Sequence, residues 1–433
     1  MEGHLKILII GSGGREHAIA HKLSLSERKP VLYAAPGNAG ISNLATCVKI
    51  AVDDLDGLLA FAKETAIDLT IVGPELPLVL GIVDLFEQNG LRIFGPGKNA
   101  AQFEGSKDFT KEFLVRHGIP TAHSETHTVL EAATCALDRF ECPVVIKADG
   151  LAAGKGVIIA QSKDEAKDAL EEIMGKHIFG DAGNKVVLES FLKGIEASIL
   201  CFVDGDTILP MQPAQDYKKA FDGDLGPNTG GMGTYSPSLI IDDAMMTRIQ
   251  KEILDPFIIG IKKDGIVFKG ILFVGIMIVG DKIDVLEYNV RLGDPETEVT
   301  LIRLENDLID VIEAVEQTRL SEVELRWSAQ HAVCVIMASG GYPDDYSKGC
   351  AIEGLEPQLL DVNPELQDKA IVYHCGTRFF EDQIVTNGGR VLGVTATGDT
   401  LEEARKHAYA RTSEITFNQA FYRKDIGTLV TGK

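Results

Sequence analysis

The chain has 433 residues, 45% hydrophobic and 24% charged, and its 64 acidic against 42 basic side chains give a formal net charge of −22. That balance argues against a nucleic-acid partner, which needs a basic face. It also argues against a membrane span: the richest apolar run, ILFVGIMIV at 271–279, is far short of the ~20 residues a bilayer needs. Seven cysteines, odd in number and without a C-x-x-C pair, point to a reducing compartment, so the expected location is cytoplasmic. The length suits about three domains of roughly 150 residues.

In chain order, KILIIG (6–11) predicts a strand, REHAIAHKL a helix and VLYAAPG a strand. DLDGLLAFAKETA is then helical, LTIVGPE a strand, GIVDLFEQNG a helix and RIFGPG a strand. Strands alternating with helices predict a parallel, Rossmann-like α/β domain over 1–103. In such sheets ligands sit beyond the carboxyl ends of the strands, here the loops GSGG, PGNAG, VGPE and GPG. The first loop resembles a dinucleotide fingerprint but carries Glu16 where the third glycine belongs. SKDFTKEFLVRHGIP predicts a helix capped by Ser106 and stopped by Gly118 and Pro120.

PVVIKA, DGLAAGKG and VIIAQ follow, then the helix KDEAKDALEEIM and the strand KVVLESF. DGLAAGKG (149–156) is not a P-loop. Only three residues separate Gly150 from Gly154, and a strand follows rather than a helix. It predicts a hairpin flap whose glycines admit phosphate, with Lys147 and Lys155 as cations; alternatively its lysines are merely solvated. From 195 to 300 strand patterns dominate around QDYKKAFDGDLGPNTGGMGTY, and a helix is expected near 300–318. GPNTGGMG can wrap an anion or serve as a mobile turn. The stretch 326–433 predicts a small α+β domain, leaving 104–325 for the central one, with a flap subdomain at 122–192.

VLEYNVRLGDPETE (285–298) is the most informative segment. On a strand Glu287, Asn289 and Arg291 share one face: two oxygen donors for a hard cation and a guanidinium for a phosphoryl oxygen. A solvated polar face is the alternative. Glu189 and Glu196 flank a short link that can meet a nucleotide.

These segments together (GSGGREHA, PGNAG, VGPE, VIKADGLAAGKGV, LESFLKGIEAS, DYKKAFDGDLGPNTGGMG, EYNVRLGDPETE and GGRVLGVTA) resemble the glycinamide ribonucleotide synthetase family of ATP-grasp enzymes across essentially the whole chain. The resemblance implies ATP and Mg²⁺ or Mn²⁺, and ligation of glycine to 5-phosphoribosylamine through glycyl phosphate in purine biosynthesis. It implies Lys107, Lys147 and the flap residues Gly154, Lys155 and Gly156 at the phosphates, Glu189 and Leu192 at adenine, and Glu196 at ribose. It makes Glu287 and Asn289 metal ligands and Arg291, Lys147 and Asp294 catalytic. The implied pockets for the two small substrates comprise Gly13, Gly14, Arg15, Glu16, Gly37, Asn38, Pro74 and Glu75, together with Asp216, Asn228, Thr229, Gly230 and Gly231. Two departures stand out: GILFVGIM (270–277) lacks the acidic ligand common in ATP-grasp proteins, and Ser190 and Ile195 replace usual hinge residues. Monomer and homodimer both remain open.

Overall fold

The computed structural model describes residues 4–152, 156–355 and 369–428. Five parallel strands form the first sheet, in the order Thr46–Cys47, Val31–Pro36, Lys6–Gly11, Leu69–Val72, Ile93–Phe94. Lys6–Gly11 is central because Ile7 to Ile10 are fully buried on both faces. Its neighbours leave on opposite sides, so the loops after the first, second and fourth strands in the chain meet at one switch point.

Residues 124–190 build a second, antiparallel sheet, ordered Ser124–His127, Val186–Ser190, Val144–Ala148, Val157–Ala160. Its core is its own, with Leu137, Ile146, Leu170 and Leu188 packed together. The third sheet, also antiparallel, runs Ile208–Pro210, Ile195–Val203, Gly270–Val279, Lys282–Asn289. Beneath it Phe103, Phe113, Phe257 and Tyr288 form an aromatic cluster, with centroids 4.8 Å apart for Phe103–Phe113 and 5.2 Å for Phe257–Tyr288.

The sheet of the C-terminal region is shared. His331–Ala338, Arg390–Gly398 and Ala370–His374 are joined by Gly233–Ser236 and Gln215–Asp216, both from the middle of the chain. Among the described residues no helix is long and apolar enough to cross a membrane.

Two expectations are corrected. The span 243–263, read among strand patterns, is helical: Asp243–Ile249 and Asp255–Lys263 are joined by a π turn. Its buried residues Ile249, Ile253, Phe257 and Ile261 recur every four positions, a helical period masked by the β-branched composition. The helix expected near 300–318 is two pieces, Glu296–Thr300 and Leu308–Glu316, the second capped by Asp307 accepting from Ile309 N.

The first domain meets the C-terminal region through imidazoles. His17 Nδ1 accepts from His374 N at 2.8 Å, and Asn38 Nδ2 donates to His374 O at 2.6 Å. Burial, reinforced by His374 and His21, lowers His17 to about 3, and burial lowers His374 to about 4. Both stay neutral in the fold but protonate near 6.5 in the unfolded chain. The unfolded state therefore binds more protons between those values, and stability falls as pH drops from 6.5 towards 4. The expected slope is up to about 1.4 kcal/mol per pH unit for each imidazole. His17→Asn, which keeps an acceptor but cannot titrate, should flatten it in urea titrations at pH 7 and pH 5.

Candidate active site

A β-bulge sets up the central row. Along Lys282–Asn289, Glu287 pairs with Gly275 and Val285 with Ile276, leaving Leu286 unpaired. Ile283 and Val285 are buried before the bulge and Tyr288 and Val290 after it. The shift of parity sends Glu287, Asn289 and Arg291 away from the core. They lie in sequence: Asn289 Nδ2 donates to Glu287 Oε1, and Arg291 Nη2 to Asn289 Oδ1, each at 3.4 Å.

Lysines gather over this row. Lys147 Nζ donates to the carbonyl of bulge residue Leu286 at 3.2 Å and contacts Glu189 Oε1 at 2.8 Å. Lys107, the first residue of helix Lys107–Arg116, donates to Gly150 O at 2.9 Å. Lys218 Nζ pairs with Glu196 and lies 3.9 Å from Glu287 Oε1. Burial alone would raise the Glu287 carboxyl, but Lys218, Lys147 and Lys107 hold it down at about 2. Burial lowers Lys107, partly countered by Glu287. For Lys218 burial is outweighed by Glu196 and Glu287, and its pKa is raised.

Glu189 is 2% exposed and held from both sides, by Lys147 and by Lys111 Nζ at 2.9 Å. Its side chain thus organises cations, while the backbone around Leu192, in the link between strands Val186–Ser190 and Ile195–Val203, lies outside both strands. Gly194 permits that link: a Cβ there would lie 2.1 Å from Ile278 O. Of the flap residues, Gly156 O accepts from Ala148 N at 2.8 Å; Gly154 and Lys155 lie outside the described residues.

At the switch point, Glu16 occupies the space that the missing third glycine would leave. Its Oε2 accepts from Gly13 N at 2.6 Å and its Oε1 from Arg15 Nε at 2.6 Å. A Cβ on Gly11 or Gly73 would fall 2.4 or 2.1 Å from the Glu16 side chain. A carboxylate therefore sits at the helix N-terminus, the place where a pyrophosphate would bind. Gly14 opens that helix, and Arg15 Nη1 reaches Leu292 O at 2.9 Å, tying it to the end of the central row. Arg291 is bracketed by Glu104 at 2.9 Å and Glu75 at 3.5 Å; Pro74 precedes the helix that begins at Glu75. After Gly37, whose φ of +69° turns the chain, Asn38 spends both amide atoms on Ser12 O, His374 O, Gly40 N and Ile41 N. The Asn38 side chain thus shapes its loop, both of its amide atoms being taken by main-chain groups.

The glycine-rich loop stands on the other side. Asn228 ends the strand Leu225–Asn228, and Thr229 Oγ1 donates to Lys218 O at 2.9 Å and accepts from Gly231 N at 3.0 Å. Gly231, at φ +114°, packs on Asp216 and Pro295. Burial, then Glu296, raises the Asp216 pKa. Asp294 Oδ1 meets Arg390 Nη2 at 2.9 Å.

Sequence reasoning missed Lys111, Lys218, Glu104 and Arg390. Lys111 had a signal, lying one turn beyond Lys107 on the same helix; Lys218 sat beside Asp216 in DYKKAF. Glu104 and Arg390 act across 187 and 96 residues of sequence respectively, where no local pattern marks them.

Among the described residues no three His, Cys, Asp or Glu side chains cluster as a metal cage. An ionised Glu287 beside the Asn289 carbonyl nonetheless suits a hard divalent cation whose remaining positions are filled by phosphate and water.

Three family models match in register: Phosphoribosylglycinamide synthetase, N domain, over residues 5–104; its ATP-grasp (A) domain over 105–297; and its C domain over 332–429. The chain is 49% identical over 422 residues to phosphoribosylamine–glycine ligase of Caldanaerobacter subterraneus subsp. tengcongensis, covering 98% of this chain and 99% of that one. The Pseudomonas aeruginosa protein of the same description is 48% identical over 427 residues, covering 98% and 97%. The Thermotoga maritima phosphoribosylamine–glycine ligase structure superposes with a TM-score of 0.83 at 33% identity, over 97% of this chain and all of that one. A Campylobacter jejuni biotin carboxylase shares the fold, with a TM-score of 0.73 at 13% identity, over 98% and 94% of the two chains.

The Lys111–Glu189–Lys147 triad makes a checkable claim. Lys111→Met should cost about 3 kcal/mol in urea denaturation, because Glu189 keeps its burial and loses half its counter-charge. Adding Glu189→Gln to that variant should restore part of the loss.

Proposed function

The chain belongs to the phosphoribosylglycinamide synthetase family, ATP-dependent ligases of purine biosynthesis, and we propose that it joins glycine to 5-phosphoribosylamine through glycyl phosphate. The observation that carries this reading is the row Glu287–Asn289–Arg291 beneath Lys107, Lys147 and Lys218. In this reading adenine lies along the Leu192 link, Glu196 meets the ribose once Lys218 moves aside, and Lys107 and Lys147 bind phosphates. Glu287 and Asn289 would hold Mg²⁺ or Mn²⁺, which neutralises triphosphate charge when bound. The coarse requirement, ATP with a divalent metal, comes with the ATP-grasp domain.

The first step puts the glycine carboxylate in line with the γ-phosphorus, forming an O–P bond as the bond to ADP breaks. Arg291 faces the transferred group, its guanidinium fixed by Glu104 and Glu75 so that it need not reorganise. In the second step the phosphoribosylamine nitrogen attacks the acyl carbon, phosphate leaves, and the nitrogen loses a proton to Asp294 or Asp216. The first-domain loops, with Arg15, Glu16 and Glu75, suit the hydroxyls and amine of the sugar better than a pyrophosphate. The cytoplasm, where small substrates and ATP are present, fits the seven unpaired thiols.

The direct test mixes protein, ATP, Mg²⁺ and glycine with phosphoribosylamine formed in place from ribose 5-phosphate and ammonia. ADP should accumulate only when every component is present; ADP release that ignores glycine would count against the reading. Glu287→Ala should reduce turnover at least about a hundredfold while circular dichroism and the melting transition persist, as loss of transition-state charge neutralisation predicts. Arg291→Lys, deprived of bidentate geometry, should lower kcat by about tenfold or more and change ATP affinity far less.

A further inference from the structure

The Asn228–Gly231 loop is gripped from outside its own domain. Gly230 N donates to the Tyr342 hydroxyl at 3.1 Å, and Gly230 O accepts from Arg390 Nη1 at 2.7 Å. Both polar groups of this residue are thereby taken by side chains of the C-terminal region. The same guanidinium donates to Asp294 O at 2.8 Å and pairs with Asp294 Oδ1 at 2.9 Å. Arg390 is thus a staple joining the loop to the turn that follows the central row. Space for both partners is made by glycines. A Cβ on Gly230 would lie 3.1 Å from Arg390 Cζ, and one on Gly389 would lie 2.2 Å from the Tyr342 ring. The grip extends inward, because Thr229 N donates to Lys218 O at 2.8 Å and Lys218 faces Glu287.

We propose that Arg390 and Tyr342 are positioning residues that hold the Asn228–Gly231 loop shut over the acyl intermediate, so that the amine rather than water receives the acyl group. This rests on the ligase reading above. A residue bound at both its N–H and its C=O cannot rotate away without breaking charge-assisted and neutral hydrogen bonds together. When the loop opens, water attacks the acyl carbon of glycyl phosphate, the acyl C–O bond to phosphate breaks, and glycine and phosphate return. The net reaction is then hydrolysis of ATP to ADP and phosphate with no ligation product.

The experiment measures ADP and ligated product in the same reaction mixture. The wild-type chain should form them in near equality. Tyr342→Phe, which keeps the ring and removes only the acceptor, and Arg390→Met should each raise ADP per product by about threefold or more, as expected for a lost intermediate-shielding contact. Affinity for ATP should stay within about twofold, since neither residue is assigned to the nucleotide. Arg390→Lys, which keeps the charge facing Asp294, should uncouple less than Arg390→Met. A fall in rate with the ratio unchanged in both Tyr342→Phe and Arg390→Met would mean that the contacts are structural only and would overturn the inference alone. A wild-type chain with no glycine-dependent ADP release would overturn the ligase reading and this inference with it.

Discussion

A single ionised carboxylate among three ammonium groups is the constraint around which the cleft is organised. Lys218, at 3.9 Å, and the more distant Lys147 and Lys107 together outweigh the burial that would otherwise protonate Glu287. The arrangement needs each lysine aimed by something other than Glu287 itself. Lys147 is aimed by the unpaired carbonyl of the bulge and by Glu189, Lys107 by the carbonyl of Gly150, and Lys218 by Glu196. The bulge therefore acts twice, turning the acidic row outward and supplying a backbone acceptor that draws a cation over it.

The opening loop shows how a familiar pattern can be put to another use. The glycines at 11 and 73 are those expected near a phosphate, yet what approaches them is the protein's own Glu16. A self-supplied anion caps the helix and orients Arg15 towards Leu292, next to Arg291 in the segment that follows the strand Lys282–Asn289. The loop has become part of the scaffold linking two sites.

Periodicity made the first sheet legible, because its strands are short apolar runs separated by helices and glycine turns. The antiparallel pairing of Val144–Ala148 with Val157–Ala160 was legible from the glycine spacing and the strand that follows it, and the Glu287–Asn289–Arg291 row from alternation, since all three follow the bulge. What stayed hidden has physical reasons. The helices of 243–263 are rich in isoleucine, so composition suggested strand where spacing indicated helix. The structural part played by the Asn38 side chain had no local signal either, because its amide bonds main-chain groups of two regions far apart in the chain. Glu104, Tyr342 and Arg390 reach their partners only through the tertiary fold.

The sheet shared between the middle and the end of the chain orders events during synthesis. Gly233–Ser236 must wait for His331–Ala338, and that strand in turn for Arg390–Gly398, which starts 157 residues after Gly233 (390 − 233). A ribosome adding roughly 5–20 residues each second would hold the glycine-rich loop unfinished for many seconds. The residues up to Asn289 therefore emerge well before Tyr342 and Arg390, whose side chains grip the glycine-rich loop.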